Sequence, residues 1–592
     1  MVGANDPCTC GSGKKYKKCC RDKSPELIRS EQAIAELDRV MSGFKLIPAL
    51  RRVSVANYAL LRHDGFKIND GKPVPADDFA EIAKRLIVHH DESGKDYTHE
   101  DHIRCERLVI GAPTYRFMTD VPKGKAVHSL TRMGFYQHRY YNFMMPLVGR
   151  AALLYQFFPE LKAHESQYDL HTEIKQHLGM TPAEFIGVGT QALISIQVNQ
   201  GLFRKAFLDK AKGKNLEKFM TPENVERFLA ECSTTPEAFI ENYEAQKLPI
   251  ELHGFEFNPL IAHPIIKTSS AQDSEDYIVP VAYLLLYKIT VGLFHAILAK
   301  YEPDTAATAS FRNNFGKHIF EPYVQRHLRE AVTKRMIWPN WPLQRAKRKP
   351  EAEIDFLFCE DSTWFFLETT LAAASIAVQQ IKDEQPFDTY IKRLTEKIKQ
   401  LQRQHECFMS GEMVLPKNAQ SGGKHHCILV TMEDLPYPNL LIRHFIELEL
   451  HAQGISSFTY HILHVNEFEV LCDVAKRVGF RKILEVKEKF IDGFDICEKD
   501  QVGRYLASSK LTVKASTQNF RNADVPDWSD SIYSDMQEFL EKHYSRDGKP
   551  PYSKLLQDSY FRMYAEMGFT KGIWEKLKRK YWPRIKAFLK GY

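Results

Sequence analysis

The distribution of apolar and polar positions from residue 24 to about residue 308 is typical of α-helices, and repeated helix-start signals accompany it. In three of these signals a Thr is followed by Pro and an acidic residue, so the hydroxyl can cap the first-turn amides and the carboxylate suits the positive helix end. The three are Thr181-Pro182, Thr221-Pro222 and Thr235-Pro236. The pattern predicts an α-helical domain over residues 24–308, with the polar stretch 267–276 as an exposed loop.

The pattern changes near Phe311. Residues 311–332 favour a helix, and the segments AEIDFLF and STWFFLETTLA favour the two strands of a β-hairpin, because β-branched and aromatic residues bracket the polar turn CEDS. A long helix (DTYIKRLTEKIKQLQRQ), the strand HHCILVTME, a helix and a further strand and helix follow. Residues 309–500 are therefore predicted to form an α/β domain with a small mixed sheet, and residues 501–592 to return to helices.

The composition fits an α+β protein of several domains. The chain has 592 residues, of which 44% are hydrophobic and 26% are charged, which is enough for several cores. The formal net charge of +6 is small for this length, so affinity for nucleic acid must come from local basic patches. The segment 277–299 is long enough to cross a bilayer, but Pro280, Lys288 and His295 interrupt it. We expect a buried core helix there and no membrane span.

Cysteine usage favours a cytoplasmic protein. Seven of the eleven cysteines stand alone, several of them within apolar runs where a reduced core thiol is the common case. The polar N-terminus has no apolar signal segment, which weakens a disulfide interpretation of the other four.

Those four cysteines form a compact cluster near the N-terminus. Cys8, Cys10, Cys19 and Cys20 make a CxC, an eight-residue spacer and a terminal CC. Four thiolates are a tetrahedral ligand set for structural Zn²⁺, and so short a loop has no apolar core around which to fold. The spacing therefore predicts a zinc knuckle over residues 1–23.

The stretch NDPCTCGSGKKYKKCC resembles the SEC-C motif, the zinc-binding tail of the preprotein translocase ATPase SecA that is also fused to many unrelated bacterial proteins. The resemblance covers residues 5–22. It implies a portable interaction tag that recruits a protein partner, and it implies nothing about the function of the remaining chain.

Three carboxylates form a candidate catalytic constellation. Asp355 lies inside an apolar strand, Glu368 closes the next strand, and Glu321 lies on the preceding helix. Carboxylates in such positions are costly unless they are used or paired. If they converge, they offer the oxygen ligands that Mg²⁺ or Mn²⁺ prefers, and such an ion polarises a phosphodiester and activates water. The alternative is that Asp355 and Glu368 are strand-end residues paired with nearby Lys or Arg.

Part of the chain resembles the PD-(D/E)XK nuclease superfamily, the restriction-endonuclease-like fold, whose core has the element order αβββαβ. The similarity in order and spacing is carried by the segments FGKHIFEPYVQRHL, EIDFLF and WFFLETT. The resemblance covers about residues 311–480. It implies that Glu321 is the helix acid, Asp355 the strand acid and Glu368 the second ligand of the magnesium ion.

One position departs from the pattern of that family. The lysine expected two residues after Glu368 is replaced by Thr370, which carries no charge. Lys349, Lys392 or Lys397 can supply the charge from elsewhere, or Thr370 can position water in a metal-only mechanism. The third possibility is an inactive nuclease fold that is kept for binding.

Other candidate residues receive no catalytic role. His425 and His426 are adjacent on a strand and face opposite ways, so a joint metal site is not expected. The same applies to His461 and His464. A cysteine hydrolase based on Cys407 is not supported, because a histidine near it in sequence is usually incidental.

Two basic stretches are candidate nucleic-acid contacts. Arg345, Lys347, Arg348 and Lys349 precede Asp355 and would bring positive charge close to a bound phosphate. The stretch 571–592 has eight basic residues against one acidic residue, interleaved with aromatics. It fits either a nucleic-acid face or the solvated side of an amphipathic helix.

The sequence thus favours a metal-dependent nuclease with a structural Zn²⁺ and a catalytic Mg²⁺ or Mn²⁺. By analogy of architecture, such an enzyme would cut foreign DNA in bacterial defence. The alternative is a catalytically inactive protein that binds nucleic acid or protein and is recruited through its zinc knuckle. The pattern leaves the oligomeric state and the choice between DNA and RNA open.

Overall fold

A computed structural model of the chain describes most of the residues between 25 and 489 and one later helix. The described ranges are 25–60, 76–111, 144–161, 168–198, 201–204, 216–248, 256–268, 276–302, 304–343, 352–372, 385–416, 423–433, 442–456, 458–489 and 554–566, with the single residues 374, 378, 435 and 439.

The described part of the predicted helical domain is largely helical. Its helices are α1 (Pro25–Met41), α2 (Leu46–Leu60), α3 (Ala76–His89), α4 (His99–Gly111), α5 (Met144–Ala151), α6 (Phe158–Leu161), α7 (Leu170–Leu178), α8 (Pro182–Val198), α9 (Leu216–Phe219), α10 (Pro222–Cys232), α11 (Pro236–Gln246), α12 (Ala282–Ile289) and α13 (Gly292–Tyr301). A π-helical turn (Ala152–Gln156) follows α5, and a 3₁₀ turn spans Pro259–Ile261.

The three Thr-Pro helix starts are confirmed. Helices α8, α10 and α11 begin at the prolines that follow Thr181, Thr221 and Thr235. The hydroxyls of Thr221 and Thr235 each accept a hydrogen bond of 3.2 Å from a backbone N–H three residues on. At Thr181 the bond is reciprocal, because the Glu184 carboxylate accepts from the Thr181 N–H at 2.6 Å while the Thr181 hydroxyl accepts from the Glu184 N–H at 3.3 Å.

A small sheet within this region was not predicted. Its strands are β1 (Leu202–Arg204), β2 (Ser233–Thr234), β3 (Ile265–Thr268) and β4 (Asp276–Ile278), in the order β1-β4-β3-β2. Both ends of the predicted loop 267–276 therefore belong to strands, β3 and β4, which pair antiparallel. Such short strands carry too little alternation to stand out in sequence. The middle of that stretch lies outside the described residues.

The apolar segment 277–299 is not one helix. It comprises part of β4 and the helices α12 and α13, which are bent by 61° at Thr290 and Val291. Among the described helices, none is by itself long and apolar enough to cross a membrane, although α12 and α13 taken together pass that test on length and composition. Both helices contribute buried residues to the core, as expected for this segment.

A five-stranded mixed sheet follows the helical region. Its strands are β5 (Ile337–Leu343), β6 (Ala352–Glu360), β7 (Thr363–Thr370), β8 (His425–Thr431) and β9 (Tyr460–His464), hydrogen-bonded in that order. The pairs β5–β6 and β6–β7 are antiparallel, whereas β7–β8 and β8–β9 are parallel. The molecule is therefore α+β, with two small mixed sheets among its helices.

The hairpin predicted from AEIDFLF and STWFFLETTLA is confirmed as β6 and β7. Its turn is shorter than predicted, because Glu360 and Thr363 already pair. The two linking residues, Asp361 and Ser362, have φ angles of 45° and 61°, as a tight two-residue hairpin turn requires. Strand β5 was missed because its sequence, IWPNWPL, contains two prolines, which a sheet tolerates at an edge.

The remaining helices surround this sheet. They are α14 (Thr305–Phe315), α15 (Glu321–Ala331), α16 (Gln385–Met409), α17 (Arg443–Ala452), α18 (Val465–Val478), α19 (Phe480–Lys489) and α20 (Lys554–Glu566), with a π-helical turn at Gly316–Phe320 and a 3₁₀ turn at Lys334–Met336. Helix α16 covers one face of the sheet, whose core includes Leu394 and Phe366. The other face, which includes Phe365, shares one continuous core with the helical region, so packing extends across the predicted boundary at residues 308 and 309.

A buried ion-pair network stabilises the helical region. The ammonium of Lys84, with a side chain 1% exposed, lies 2.8 Å from a Glu81 oxygen and 3.2 Å from a Glu256 oxygen. The Arg85 guanidinium contacts both Glu81 and Asp38. Burial alone would raise the pKa of Glu81, but the charges of Lys84 and Arg85 outweigh it and lower this pKa to about 2.

We expect the Glu81→Gln substitution to make the stability of the protein fall less steeply as the pH decreases below 4.5. Because the folded pKa of Glu81 lies below the unfolded value of 4.5, its stabilisation is present above that value and is lost as the pH falls towards 2. At pH 7 the variant should unfold about 2–4 °C lower for each kcal/mol lost. Below about pH 4 the difference from the wild type should shrink, which thermal melts followed by circular dichroism will measure.

Glu241→Gln is the matched control, since Glu241 is an exposed carboxylate on α11. Its melting profile should follow that of the wild type at every pH. A Glu81→Gln difference that stays constant from pH 7 to pH 3 would show that the Glu81 charge does not provide the stabilisation.

Candidate active site

The strand acids Asp355 and Glu368 lie next to each other on β6 and β7. The last paired residues of the two strands are Phe356 and Leu367, so Asp355 and Glu368 each lie one residue beyond the paired ladder. The charge of Asp355 acts on Glu368. The strands part at this point, where the Asp355 carboxylate takes the place of a backbone acceptor: its Oδ2 accepts from the N–H of Thr369 at 2.7 Å and from the Thr369 hydroxyl at 2.9 Å.

Glu368 is held from helix α16. The carboxylate is 1% exposed, and its two oxygens have different partners. The Lys397 ammonium lies 3.2 Å from Oε2, and the Gln404 side-chain amide donates to Oε1 at 2.5 Å. Lys397 and Gln404 are seven residues apart, which is about two helical turns, so both project from the side of α16 that faces the sheet.

Glu321 approaches the same place from α15. It is the first residue of that helix and directly follows the π-helical turn at Gly316–Phe320. Such turns rotate the residues after them and are frequent at functional sites. Burial and the charge of Asp355 raise the pKa of Glu321 to about 8, although Lys397 and Lys317 oppose the shift. Asp355 is thus the neighbouring charge that acts most strongly on Glu321.

Burial is the largest influence on the ionisation of the acids, and the charge of Asp355 comes second. Burial, then the charge of Asp355, raises the pKa of Glu368 to about 7, against the opposing effects of Lys397 and Gln404. Burial lowers the pKa of Lys397, but the charges of Asp355 and Glu368 outweigh it and keep that lysine cationic. With pKa values this high, Glu321 and Glu368 are partly protonated near neutral pH, so the cluster carries less charge than three ionised carboxylates.

Among the described residues, the group whose three ligand atoms lie within 4.8 Å of one another is His405, His425 and Cys427, so the three acids are farther apart than that. Their carboxylates are of the ligand type that Mg²⁺ and Mn²⁺ prefer. Both hydrogen bonds to Asp355 go to Oδ2, and within the described residues none is recorded to Oδ1. The buried Oε1 atom of Gln404, next to Glu368, also lacks a hydrogen-bond partner there. The set therefore has oxygen atoms to spare for a cation or its water ligands.

Thr370 and the candidate lysines lie at different positions relative to Glu368. Thr370 follows Glu368 by two residues, so it shares the same strand face. It is half-buried, and its hydroxyl accepts from the N–H of Ala372 at 3.3 Å. Of the lysines considered from sequence, Lys397 contacts Glu368, Lys392 is exposed, and Lys349 lies outside the described residues.

Sequence reasoning did not identify Gln404 or the groups around Glu433. Gln404 stands in the apolar stripe of α16, and a polar residue in such a stripe was the available signal. Glu433 follows β8, accepts from the N–H of Ala374 at 2.8 Å and pairs with His295 at 2.5 Å. Glu433 also lies near Thr370, because the N–H of the residue before it, Met432, donates to the Thr370 carbonyl. Contacts of this kind join distant segments, so no local pattern predicts them.

The histidines considered from sequence have different neighbours in the structure. His425 and His426 face opposite sides, as expected: the His425 ring packs on Phe408, and the His426 ring stacks on Phe365. The interpretation of His405 as incidental to Cys407 missed its actual neighbour, since its Nδ1 lies 2.6 Å from Nε2 of His425. His461 is buried, and His464 caps α18 by accepting from the Glu467 N–H.

Several predicted site residues lie outside the described part of the chain. They are the four cysteines Cys8, Cys10, Cys19 and Cys20 of the predicted knuckle, the basic residues Arg345, Lys347, Arg348 and Lys349, and the C-terminal stretch 571–592.

Comparison with known proteins bears on the knuckle. Residues 5–22 match the family model of the SEC-C motif. A UPF0225 protein of Geobacter sulfurreducens is 90% identical to this chain over 19 residues, and a UPF0225 protein of Vibrio cholerae is 89% identical over 18 residues. A third, from Vibrio vulnificus, is 84% identical over 19 residues. The SEC-C motif is of a zinc-binding type, so the prediction of this motif is confirmed.

These matches are short. Each covers 3% of this chain, and 11–12% of the relative's own length. No solved structure matches the chain.

The Glu368→Gln substitution separates a metal site from a structural ion pair. In a metal site, removal of one buried charge relieves repulsion, so the variant should unfold about 2–4 °C higher than the wild type without added metal, which corresponds to about 1 kcal/mol. Mn²⁺ should then stabilise the wild type and leave the variant unchanged. Differential scanning fluorimetry with and without Mn²⁺ measures both effects.

Glu396→Gln is the control, because Glu396 is an exposed residue of the same helix that pairs with Lys399. It should respond to Mn²⁺ as the wild type does. A lower unfolding temperature for Glu368→Gln, together with no Mn²⁺ effect on any protein, would identify a structural ion pair with Lys397.

Proposed function

We propose that this protein is a metal-dependent nuclease that hydrolyses phosphodiester bonds in nucleic acid. The observation that carries the proposal is that the charge of Asp355, on strand β6, acts on both Glu368 of β7 and Glu321 at a helix start, with Lys397 in contact with Glu368. Burial and like charge have already raised the pKa values of two of these acids, which is the arrangement that a bound cation relieves.

The order of the elements supports this function. Helix α15 is followed by three antiparallel strands, β5 to β7, then by helix α16 and the parallel strand β8. This is the αβββαβ order that the resemblance to the PD-(D/E)XK superfamily implies. The three acids lie on the elements of that order on which the resemblance expects them, namely the first helix and the second and third strands.

In this mechanism Glu321, Asp355 and Glu368 would hold Mg²⁺ or Mn²⁺, which when bound polarises the phosphoryl group and lowers the pKa of a coordinated water. Lys397 takes the role of the family's lysine, which Thr370 replaces in sequence. Its ammonium stays charged beside Glu368 and can stabilise negative charge that develops on the phosphate oxygens. The Thr370 hydroxyl, on the same strand face, would position water.

Positive charge near the cluster would seat the nucleic-acid backbone. Lys317 acts electrostatically on Glu321. In the preceding helix, burial and then the charge of Arg393 lower the pKa of Arg312. The Nε atom of Arg312 is buried without a hydrogen-bond partner among the described residues. Together with the predicted contacts at Arg345, Lys347, Arg348 and Lys349, these cations fit a phosphate-binding rim.

The zinc knuckle would recruit the enzyme. Cys8, Cys10, Cys19 and Cys20 supply four thiolates to a structural Zn²⁺. The lysines around them suit an acidic protein partner or a phosphate backbone. The defence role suggested by the architecture stays a prediction.

Cleavage assays test the catalytic assignment. The full chain should cut plasmid DNA, single-stranded DNA or RNA in the presence of Mg²⁺ or Mn²⁺, and Asp355→Asn or Glu368→Gln should abolish cutting. Lys397→Met should reduce the rate by about 10²–10⁴-fold, the range typical of a group that stabilises or moves charge in the transition state. The rates are to be measured by gel with labelled substrates at saturating metal.

Lys392→Met is the matched control, because Lys392 is an exposed lysine of the same helix. It should cut within about two-fold of the wild-type rate, since a surface substitution leaves the cluster intact. Cutting that persists in Asp355→Asn and Glu368→Gln would assign the activity to another site or to a contaminant.

The alternative function is that of an inactive nuclease-like protein that binds nucleic acid or protein. It is favoured by the observation that Glu368 already has two partners, Lys397 and Gln404. Under this alternative the chain binds labelled nucleic acid with a strong salt dependence, and Asp355→Asn leaves that binding unchanged. No substrate is then cut with either metal.

A further inference from the structure

A second group of metal-ligating side chains lies on the same helix and sheet, away from the acids. His405 on α16 meets His425 and Cys427 on β8, and one ligand atom from each lies within 4.8 Å of the others. His425 and Cys427 are two residues apart on a strand, so both face the side of the sheet that α16 covers. This cluster of two imidazoles and one thiol is independent of the nuclease proposal.

The two histidine rings approach in a form that suits ligation. Their nitrogens, Nδ1 of His405 and Nε2 of His425, are 2.6 Å apart. Two N–H groups cannot face each other at that distance, so at least one of these nitrogens carries a lone pair. Neutral imidazole is the form that binds metal.

Cys427 is fully buried, and its thiol makes a weak hydrogen bond. The acceptor is the carbonyl oxygen of Leu401, at 3.9 Å from the sulfur. The surroundings are aromatic, since the rings of Phe366 and Phe408 pack on His425 and that of Phe458 packs on His405. An apolar shell strengthens the attraction between a cation and a thiolate.

We propose that His405, His425 and Cys427 bind a zinc ion that fastens helix α16 to strand β8. Two imidazoles and a thiolate are ligands that Zn²⁺ accepts in a tetrahedral site, whereas Mg²⁺ and Mn²⁺ prefer oxygen. Bond lengths of about 2.0–2.3 Å place tetrahedral ligand atoms roughly 3.3–3.6 Å apart. The two nitrogens, which are 2.6 Å apart, reach that spacing when the rings separate by less than an ångström, and the sulfur lies within 4.8 Å of the other ligand atoms.

The position of the cluster gives it a role in the neighbouring site. In the β7–β8 register Cys427 lies opposite Phe366, and Leu429 opposite Glu368. The thiol is thus about two residues, or roughly 7 Å along the strand, from the acid site. His405 directly follows Gln404, which donates to Glu368. A zinc ion at His405 would therefore fix the part of α16 that orients Glu368.

Metal content of the full chain tests the proposal. A variant with Cys8→Ser and Cys10→Ser removes the knuckle's contribution, and after incubation with ZnCl₂ and desalting it should retain about one Zn²⁺ per chain by plasma mass spectrometry. Adding Cys427→Ala or His405→Ala to that background should reduce the content to near zero. Co²⁺ bound to the knuckle-free chain should give a sulfur-to-cobalt charge-transfer band that Cys427→Ala removes.

Cys407→Ala in the same background is the matched control, because Cys407 is another buried thiol of α16. It should keep the zinc and the band. If Cys427→Ala fails to fold, His405→Ala at the half-buried position still decides the question. A knuckle-free chain that retains no zinc, or one whose zinc content neither substitution changes, would overturn the proposal.

Discussion

The packing of α16 against the five-stranded sheet is the interaction on which both candidate sites depend. Leu394, Ile398 and Leu401 recur at helical spacing and are fully buried in the core between this helix and the sheet. Each such side chain contributes about 1.5–3 kcal/mol when it leaves water. This apolar stripe fixes the rotation of the helix. It thereby determines that Lys397, Gln404 and His405 face the strands, although none of these polar residues provides the driving force.

The acid cluster is stabilised by that packing and does not stabilise it in return. Burial and mutual repulsion make the charged forms of Glu321 and Glu368 unfavourable, as their raised pKa values indicate. A fold retains such a cluster only when its surroundings hold the groups in place. The π-helical turn before Glu321 and the parted end of the β6–β7 hairpin are two such constraints. Local irregularity in the backbone thus coincides with the concentration of charge.

The sequence identified the acids but not their partners, and the reason is physical. A carboxylate between Ile354 and Phe356 is conspicuous, because an apolar strand rarely contains one without a use. The hairpin was predictable from β-branched and aromatic residues, whereas β5 was hidden by its prolines. The choice among several lysines could not be made from sequence, since it depends on how α16 rotates against β7. That rotation is a property of the tertiary core.

The histidine cluster illustrates the same limit. His425 and Cys427 alternate on one strand, so their shared face was predictable from sequence. His405, however, comes from a helix, and only docking of that helix brings the two imidazoles together. The histidines that are close in sequence therefore do not form the contact. The two histidines that do meet, His405 and His425, are twenty residues apart.

The two sites on α16 differ in ligand chemistry, and this difference keeps them distinct although they are close. Three carboxylates present hard oxygen atoms, which Mg²⁺ and Mn²⁺ prefer, while two imidazoles and a thiol present the softer nitrogen and sulfur atoms that suit Zn²⁺. In the proposed zinc site, the ligands come from α16 and β8, so a bound ion would link that helix to the sheet. One helix therefore serves both candidate sites, because its core stripe fixes His405 together with Lys397 and Gln404, which contact Glu368.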